Sequence, residues 1–165
     1  MDQAYPQAGK RRNDVSTRAN SDNAARGWVL AAASSNSGKT LVSAALLRLL
    51  CRDGRAVTPF KVGPDYIDPG FLSAAARTIC GSLDPWAMAP GRLNQLLQAQ
   101  SGNRFLIEGV MGLFDGAVSG DGSTADLAAA YQLPVVLVIN TKGQGASVAA
   151  LAQGFANHRA DLNVA

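Results

Sequence analysis

Residues 28–40 read Trp-Val-Leu-Ala-Ala-Ala-Ser-Ser-Asn-Ser-Gly-Lys-Thr. The stretch opens apolar at Val29-Leu30-Ala31-Ala32 and breaks into small polar residues at Ser34–Ser37. Gly38-Lys39-Thr40 then leads into Leu41, Val42, Ala44, Ala45, Leu46 and Leu47, the apolar pattern of a helix. Strand, small-residue loop, Gly-Lys-Thr and helix is the context in which such a spelling reads as a P-loop. Small residues let backbone N–H groups curl around phosphate oxygens, and the helix N-terminus adds the positive end of its dipole. Lys39 then reaches the β- and γ-phosphates, and the Thr40 hydroxyl ligates Mg²⁺. One position departs from the pattern: where G-x-x-x-x-G-K-[ST] has its first glycine, this chain has Ala33. If that site needs a positive φ, alanine strains it by roughly 1–2 kcal/mol. If it ends the strand, alanine costs little.

Working outward, strands and helices alternate. Strands are expected at about 27–33, 56–62, 104–110 and 135–140, and helices at about 38–52, 71–76, 90–100, 124–131 and 148–158. Leu93, Leu96 and Leu97 keep helical spacing as a core stripe, and Ser123-Thr124-Ala125-Asp126 has the spacing of a capping box. Leu83-Asp84-Pro85-Trp86 reads as a turn, and Asp161–Ala165 as the lead-in to a further strand. This alternation predicts an α/β fold, a parallel sheet with helices on both faces. Ligands of such sheets bind outside the carboxyl ends of the strands, where each glycine-bearing loop of this chain falls.

Composition bounds the rest. The 165 residues suit one domain, and 47% hydrophobic with 16% charged residues is globular. Residues 1–26 have almost no apolar content and are expected to be a disordered extension. They hold Lys10, Arg11, Arg12, Arg18 and Arg26 against Asp2, Asp14 and Asp22, and so supply +2 of the net charge of +3. The remainder has no basic stripe, which argues against a nucleic-acid partner. Cys51 and Cys80 lack metal spacing and read as buried thiols of a reducing compartment. His158, the one histidine, reads as a surface residue. No segment is long and apolar enough for a membrane span or a signal peptide, so a cytoplasmic location is expected.

Glu108 is the chain's one glutamate, at the end of Phe105-Leu106-Ile107. Its place matches a strand-end carboxylate supporting Mg²⁺ opposite a P-loop, the alternative being a carboxylate exposed to solvent. Asp68 and Asp115 follow strands and are flanked by Gly or Pro, as metal- or substrate-orienting groups would be. Asp65 is nearer a turn residue. Lys61 is either a snorkelling stem or a phosphate contact, and Tyr66 either core or a substrate wall.

Together these motifs carry a resemblance. Pro59–Pro69 (PFKVGPDYIDP), Leu83-Asp84-Pro85-Trp86, Glu108–Gly116 (EGVMGLFDG) and Gly122–Ala128 (GSTADLA) follow the P-loop in order. In this the chain closely resembles the N-terminal half of cobyrinic (or hydrogenobyrinic) acid a,c-diamide synthases, corrinoid amidases related to dethiobiotin synthetase. The resemblance implies a P-loop NTPase-like domain over residues 27–165, incomplete at its C-terminus and lacking the glutaminase domain. It implies an ATP- and Mg²⁺-dependent amidation of the a and c acetate side chains of a corrinoid, with ammonia from glutamine, in cobalamin biosynthesis. A homodimer is a candidate assembly. By similarity, Ser35, Asn36, Ser37 and Gly38 assist Lys39 and Thr40 in binding ATP, and Thr40 and Glu108 hold the metal. Lys61 takes the transferred phosphate. Tyr66, Ile67, Asp68 and Asp115 orient the substrate carboxylate, with Asp68 and Asp115 in the catalytic set, and Ser123 and Thr124 line the substrate pocket. The rivals are other P-loop amidases, notably the nickel-sirohydrochlorin a,c-diamide synthase, then a partition-type switch ATPase and a non-catalytic P-loop fragment. Partition ATPases carry an extra lysine early in the P-loop, where this chain has Ala33-Ser34-Ser35.

Overall fold

Strand and helix alternate through the whole of the computed structural model, which describes residues 26–100, 103–117 and 122–165. The order is β1 (Arg26–Ala32), α1 (Lys39–Arg52), β2 (Val57–Val62), α2 (Asp68–Ala76) and β3 (Gly81–Leu83). There follow α3 (Pro90–Gln98), β4 (Arg104–Glu108), α4 (Thr124–Ala130), β5 (Val135–Val138) and α5 (Val148–Asn157). The five strands form one sheet in the order β3-β2-β4-β1-β5, with every pairing parallel. The expected extension lies outside the described residues, apart from Arg26, which opens β1.

Alternation along each strand divides the core into two layers. Val29, Ala31, Phe60, Val62, Phe105 and Ile107 face the side covered by α3, α4 and α5, through Leu93, Leu97, Ala125, Leu127 and Phe155. Leu30, Val57 and Leu106 face Leu47 of α1 and Leu72 of α2. Helices therefore cover both faces, as the alternation of elements predicts.

Several boundaries move for local reasons. The helix expected from Phe71 begins at Asp68, because Pro69 fits the first turn, where no N–H is needed. The strand expected to reach Val110 ends at Glu108, and the one expected to reach Asn140 ends at Val138. Gly81-Ser82-Leu83 pairs with Phe60–Val62 as a strand that sequence reading does not find, being too short for periodicity. Asp161–Ala165 behaves as a strand lead-in: Val164 bridges Val135 in parallel, and the Ala165 amide donates to the Val135 carbonyl at 2.8 Å. Cys51 and Cys80 are half-buried, less enclosed than expected, and both are free thiols.

Two glycines are built into the sheet by their neighbours. Gly27 lies in register with Phe105, and a Cβ at Gly27 would fall 1.9 Å from that ring. Gly81 lies in register with Phe60, where a Cβ would fall 2.5 Å from the ring. The two rings meet edge to face with centroids 6.1 Å apart, so each covers a glycine on one side and braces the other ring between.

Candidate functional site

The carboxyl ends of β1, β2 and β4 bring together the P-loop, the loop after Val62 and the loop after Glu108. The P-loop is shaped by its own residues. Ser37 Oγ donates to the Ser34 carbonyl at 2.8 Å, Asn36 takes the left-handed conformation (φ 60°), and Gly38 does the same (φ 89°) as the N-cap of α1. No side chain caps α1, which leaves its first amides available to an anion. Ala33 keeps a negative φ, and its amide bonds the Val138 carbonyl at 3.2 Å. It ends the strand, so the missing glycine costs little.

Behind the P-loop lies a compact charged cluster. Lys61 is 3% exposed, and its Nζ donates to Asp68 Oδ2 at 2.9 Å, Glu108 Oε1 at 2.9 Å and the Gly109 carbonyl at 3.1 Å. The Thr40 hydroxyl reaches the same two oxygens, Glu108 Oε1 at 2.7 Å and Asp68 Oδ2 at 3.1 Å. Glu108 is fully buried, and its other oxygen, Oε2, has no partner. Lys61 therefore does not snorkel and Glu108 is not a surface carboxylate. Burial works against the Lys61 charge, but Glu108 and Asp68 outweigh it and hold its pKa above the ordinary lysine value. Asp65 is a turn residue that also faces the cluster: Oδ1 accepts the Ile67 and Asp68 amides at 2.9 and 3.0 Å, and Oδ2 lies 3.6 Å from Lys61.

Lys39 is buried and donates to the Met111 carbonyl at 2.6 Å. Burial, and after it the neighbouring Lys61 ammonium, holds its pKa below the ordinary value against the pull of Glu108, Asp68 and Asp115. Met111 takes a left-handed backbone (φ 49°) to present that carbonyl. Sequence reading misses this partner, because the group is a main-chain oxygen and nothing in the residue type marks it. Asp115, in the same loop, is exposed, and its Oδ2 accepts the Gly112 amide at 2.8 Å.

The expected substrate residues divide. Tyr66 and Ile67 are 92% and 72% exposed beside the cluster, and Phe71, Trp86 and Met111 add exposed apolar surface at or just after the strand ends. Ser123 and Thr124 turn inward. Ser123 caps α4 in a complete capping box with Asp126, and Thr124 Oγ1 accepts the Val110 amide at 3.1 Å. Thr124 thereby ties the loop after β4 to the start of α4, which Ser123 caps.

Among the described residues, no group of three or more His, Cys, Asp and Glu side chains is placed to hold a metal unaided. A hard cation nonetheless fits here with help from phosphate: a threonine hydroxyl and two carboxylates, one of them with an orphaned buried oxygen, are the kind of donors Mg²⁺ takes beside a nucleotide. The comparisons bear on the domain as a whole. A family model described as the CobQ/CobB/MinD/ParA nucleotide binding domain matches residues 28–165. The chain belongs to this family.

Proteins similar to this nucleotide-binding domain include the hydrogenobyrinate a,c-diamide synthase of Brucella suis, 51% identical over 140 residues, 83% of this chain and 32% of that protein. The proteins of the same name from Rhizobium meliloti and Rhodobacter capsulatus are 50% and 49% identical, over 84% and 81% of this chain and 33% and 32% of theirs. The chain thus spans about a third of the length of the curated relatives it matches.

Proposed function

We propose that this domain is the ATP site of a cytoplasmic ligase that amidates the a and c acetate side chains of cobyrinic or hydrogenobyrinic acid in cobalamin biosynthesis. The observation that carries the reading is the cluster of Thr40, Lys61, Asp68 and Glu108 behind a P-loop, in a chain about half identical to named hydrogenobyrinate a,c-diamide synthases.

A carboxylate is a poor acyl donor, so ATP first converts it to an acyl phosphate, which ammonia then attacks. The first step asks the protein for positioning and charge neutralisation. The amides of Ser35–Gly38 and the Lys39 ammonium hold the phosphates, for which Lys39 leaves the Met111 carbonyl. Thr40, Glu108 and Asp68 would hold Mg²⁺, which spreads the phosphate charge when bound. Lys61, buried between the carboxylates and the P-loop, steadies the phosphoryl group in transfer. Tyr66 and Ile67, with the exposed Phe71, Trp86 and Met111, give a broad apolar tetrapyrrole a wall to lie against. Thr124 serves that pocket by holding the loop that forms it, and Ser123 by capping the helix that carries Thr124.

Ammonia comes from glutamine through a part of the longer protein. Cys80 is a poor nucleophile for that purpose, since burial pushes its thiol up to about 12. His158 lies against Phe114, on the opposite face of the sheet from the cluster around Cys80.

Supplied with ATP, Mg²⁺ and ammonium, the full-length protein that carries this domain is expected to convert hydrogenobyrinic or cobyrinic acid to the a,c-diamide, read by mass spectrometry. Amidation of nickel-sirohydrochlorin alone would move the reading to the related tetrapyrrole synthase. ATP hydrolysis with no acceptor amidated would favour a switch ATPase.

Asp115→Asn separates chemistry from binding. Asparagine retains an acceptor for the Gly112 amide and removes only the charge near Lys39. Turnover is expected to fall by about tenfold or more, with ATP affinity little changed. Steady-state kinetics beside ATP calorimetry reads both, and lost affinity at unchanged turnover per bound ATP would remove Asp115 from the catalytic set.

A further inference from the structure

Two side chains claim the same two oxygens. Lys61 Nζ stands 2.9 Å from both Glu108 Oε1 and Asp68 Oδ2, and Thr40 Oγ1 stands 2.7 and 3.1 Å from the same atoms. A Mg²⁺ ion bonds its oxygens at about 2.0–2.1 Å and demands near-octahedral order. Glu108 Oε1 and Asp68 Oδ2, each facing both the Lys61 ammonium and the Thr40 hydroxyl, have little lone-pair capacity left to give it. The Thr40 hydroxyl can keep its proton on a carboxylate and still offer the ion a lone pair. Glu108 Oε2 is fully buried and unpartnered, the one carboxylate oxygen so placed among the described residues.

The geometry points to Lys61 as the resident cation of the metal subsite, bound across Glu108 and Asp68 when no nucleotide is present and withdrawn when phosphate enters. This rests on the reading that Thr40, Glu108 and Asp68 receive Mg²⁺, and adds that Lys61 excludes the free ion. The charges require some such occupant. Glu108 is fully buried and Asp68 beside it is half-buried, with Asp65 at 3.6 Å from Lys61, and Lys61 is the sole cation hydrogen-bonded to Glu108 and Asp68 among the described residues. Buried carboxylates left without a cation are costly. A phosphate chain offers the ammonium a new anion as the metal arrives, so the two cations change places and neither carboxylate is left unpaired. Metal and nucleotide then bind as a unit.

Mn²⁺, read by electron paramagnetic resonance, tests this on the 165-residue chain. Without nucleotide, wild type is expected to bind Mn²⁺ weakly, and Lys61→Met at least tenfold more tightly. Lys39→Met removes a nearby charge but frees no carboxylate oxygen, and should give a distinctly smaller gain. A Lys61→Met chain that binds no tighter, or no better than Lys39→Met, overturns the inference. Should Lys61→Met fail to fold by circular dichroism, Lys61→Gln, which can still donate to one carboxylate, repeats the measurement. The wild type decides independently of either variant: micromolar affinity for Mn²⁺ alone would show the subsite open and overturn the proposal. Failure of wild type to take up Mn²⁺ even with ATP would instead remove the metal assignment on which it rests.

Discussion

Replacing Lys39 with alanine is expected to weaken Mg·ATP binding to this chain severely, and calorimetry on the wild type and the variant would show it. Lys39 is the first residue of α1, and its ammonium lies at a helix N-terminus whose amides no side chain occupies. A charge-assisted hydrogen bond is worth about 1.5–3 kcal/mol. In the free protein that bond goes to the Met111 carbonyl at 2.6 Å. ATP gains the ammonium only by taking it from Met111, and charged phosphate is the stronger acceptor. Removing Lys39 should weaken binding roughly a hundredfold, about 2.7 kcal/mol. The fold should survive, since neither core layer includes Lys39. A full-length protein carrying the change should lose ATP-dependent amidation as well. Unchanged affinity would mean that Gly38-Lys39-Thr40 opens a helix and nothing more.

How much of this is legible in the sequence depends on where each signal lives. The P-loop is written in residue types that serve one geometry, and the two strand-end groups Lys61 and Glu108 stand out because charge interrupts an apolar run. Their mutual contact is harder to read. Lys61 and Glu108 are 47 positions apart and meet only because β2 and β4 lie side by side, Lys61 in register with Glu108. Spacing along the chain cannot show this before the strand order is known. β3 is lost for another reason: three residues are too few for an alternating pattern, and Gly81 is a poor strand former until Phe60 covers it. Ser123 and Thr124 show the opposite trade. The capping-box spacing is plain in sequence, and it is the cap, turned inward, that the fold builds. The Met111 carbonyl leaves no trace in sequence, since every residue has one.

Gly27→Ala tests the arrangement that holds those strands in register. The new Cβ would lie 1.9 Å from Phe105 Cε2, and two more ring atoms lie within 2.4 Å. Phe105 is 1% exposed and cannot swing into solvent without opening the core. It could yield only toward Phe60, which Gly81 and the edge-to-face contact already fix. Overpacking of this kind costs about 3 kcal/mol, a large share of the stability of an ordinary domain. Urea unfolding should show it as a lower midpoint with little change in slope. The cost belongs to the pair, so the smaller ring-free side chain of Phe105→Leu should make Gly27→Ala much milder, a coupling a double-mutant cycle measures directly. Nucleotide affinity per folded molecule should change little, because Gly27 lies at the opposite end of β1 from the P-loop. If Gly27→Ala were neutral in both backgrounds, the strand would tolerate a side chain there, and the phenylalanine cover would be packing without constraint.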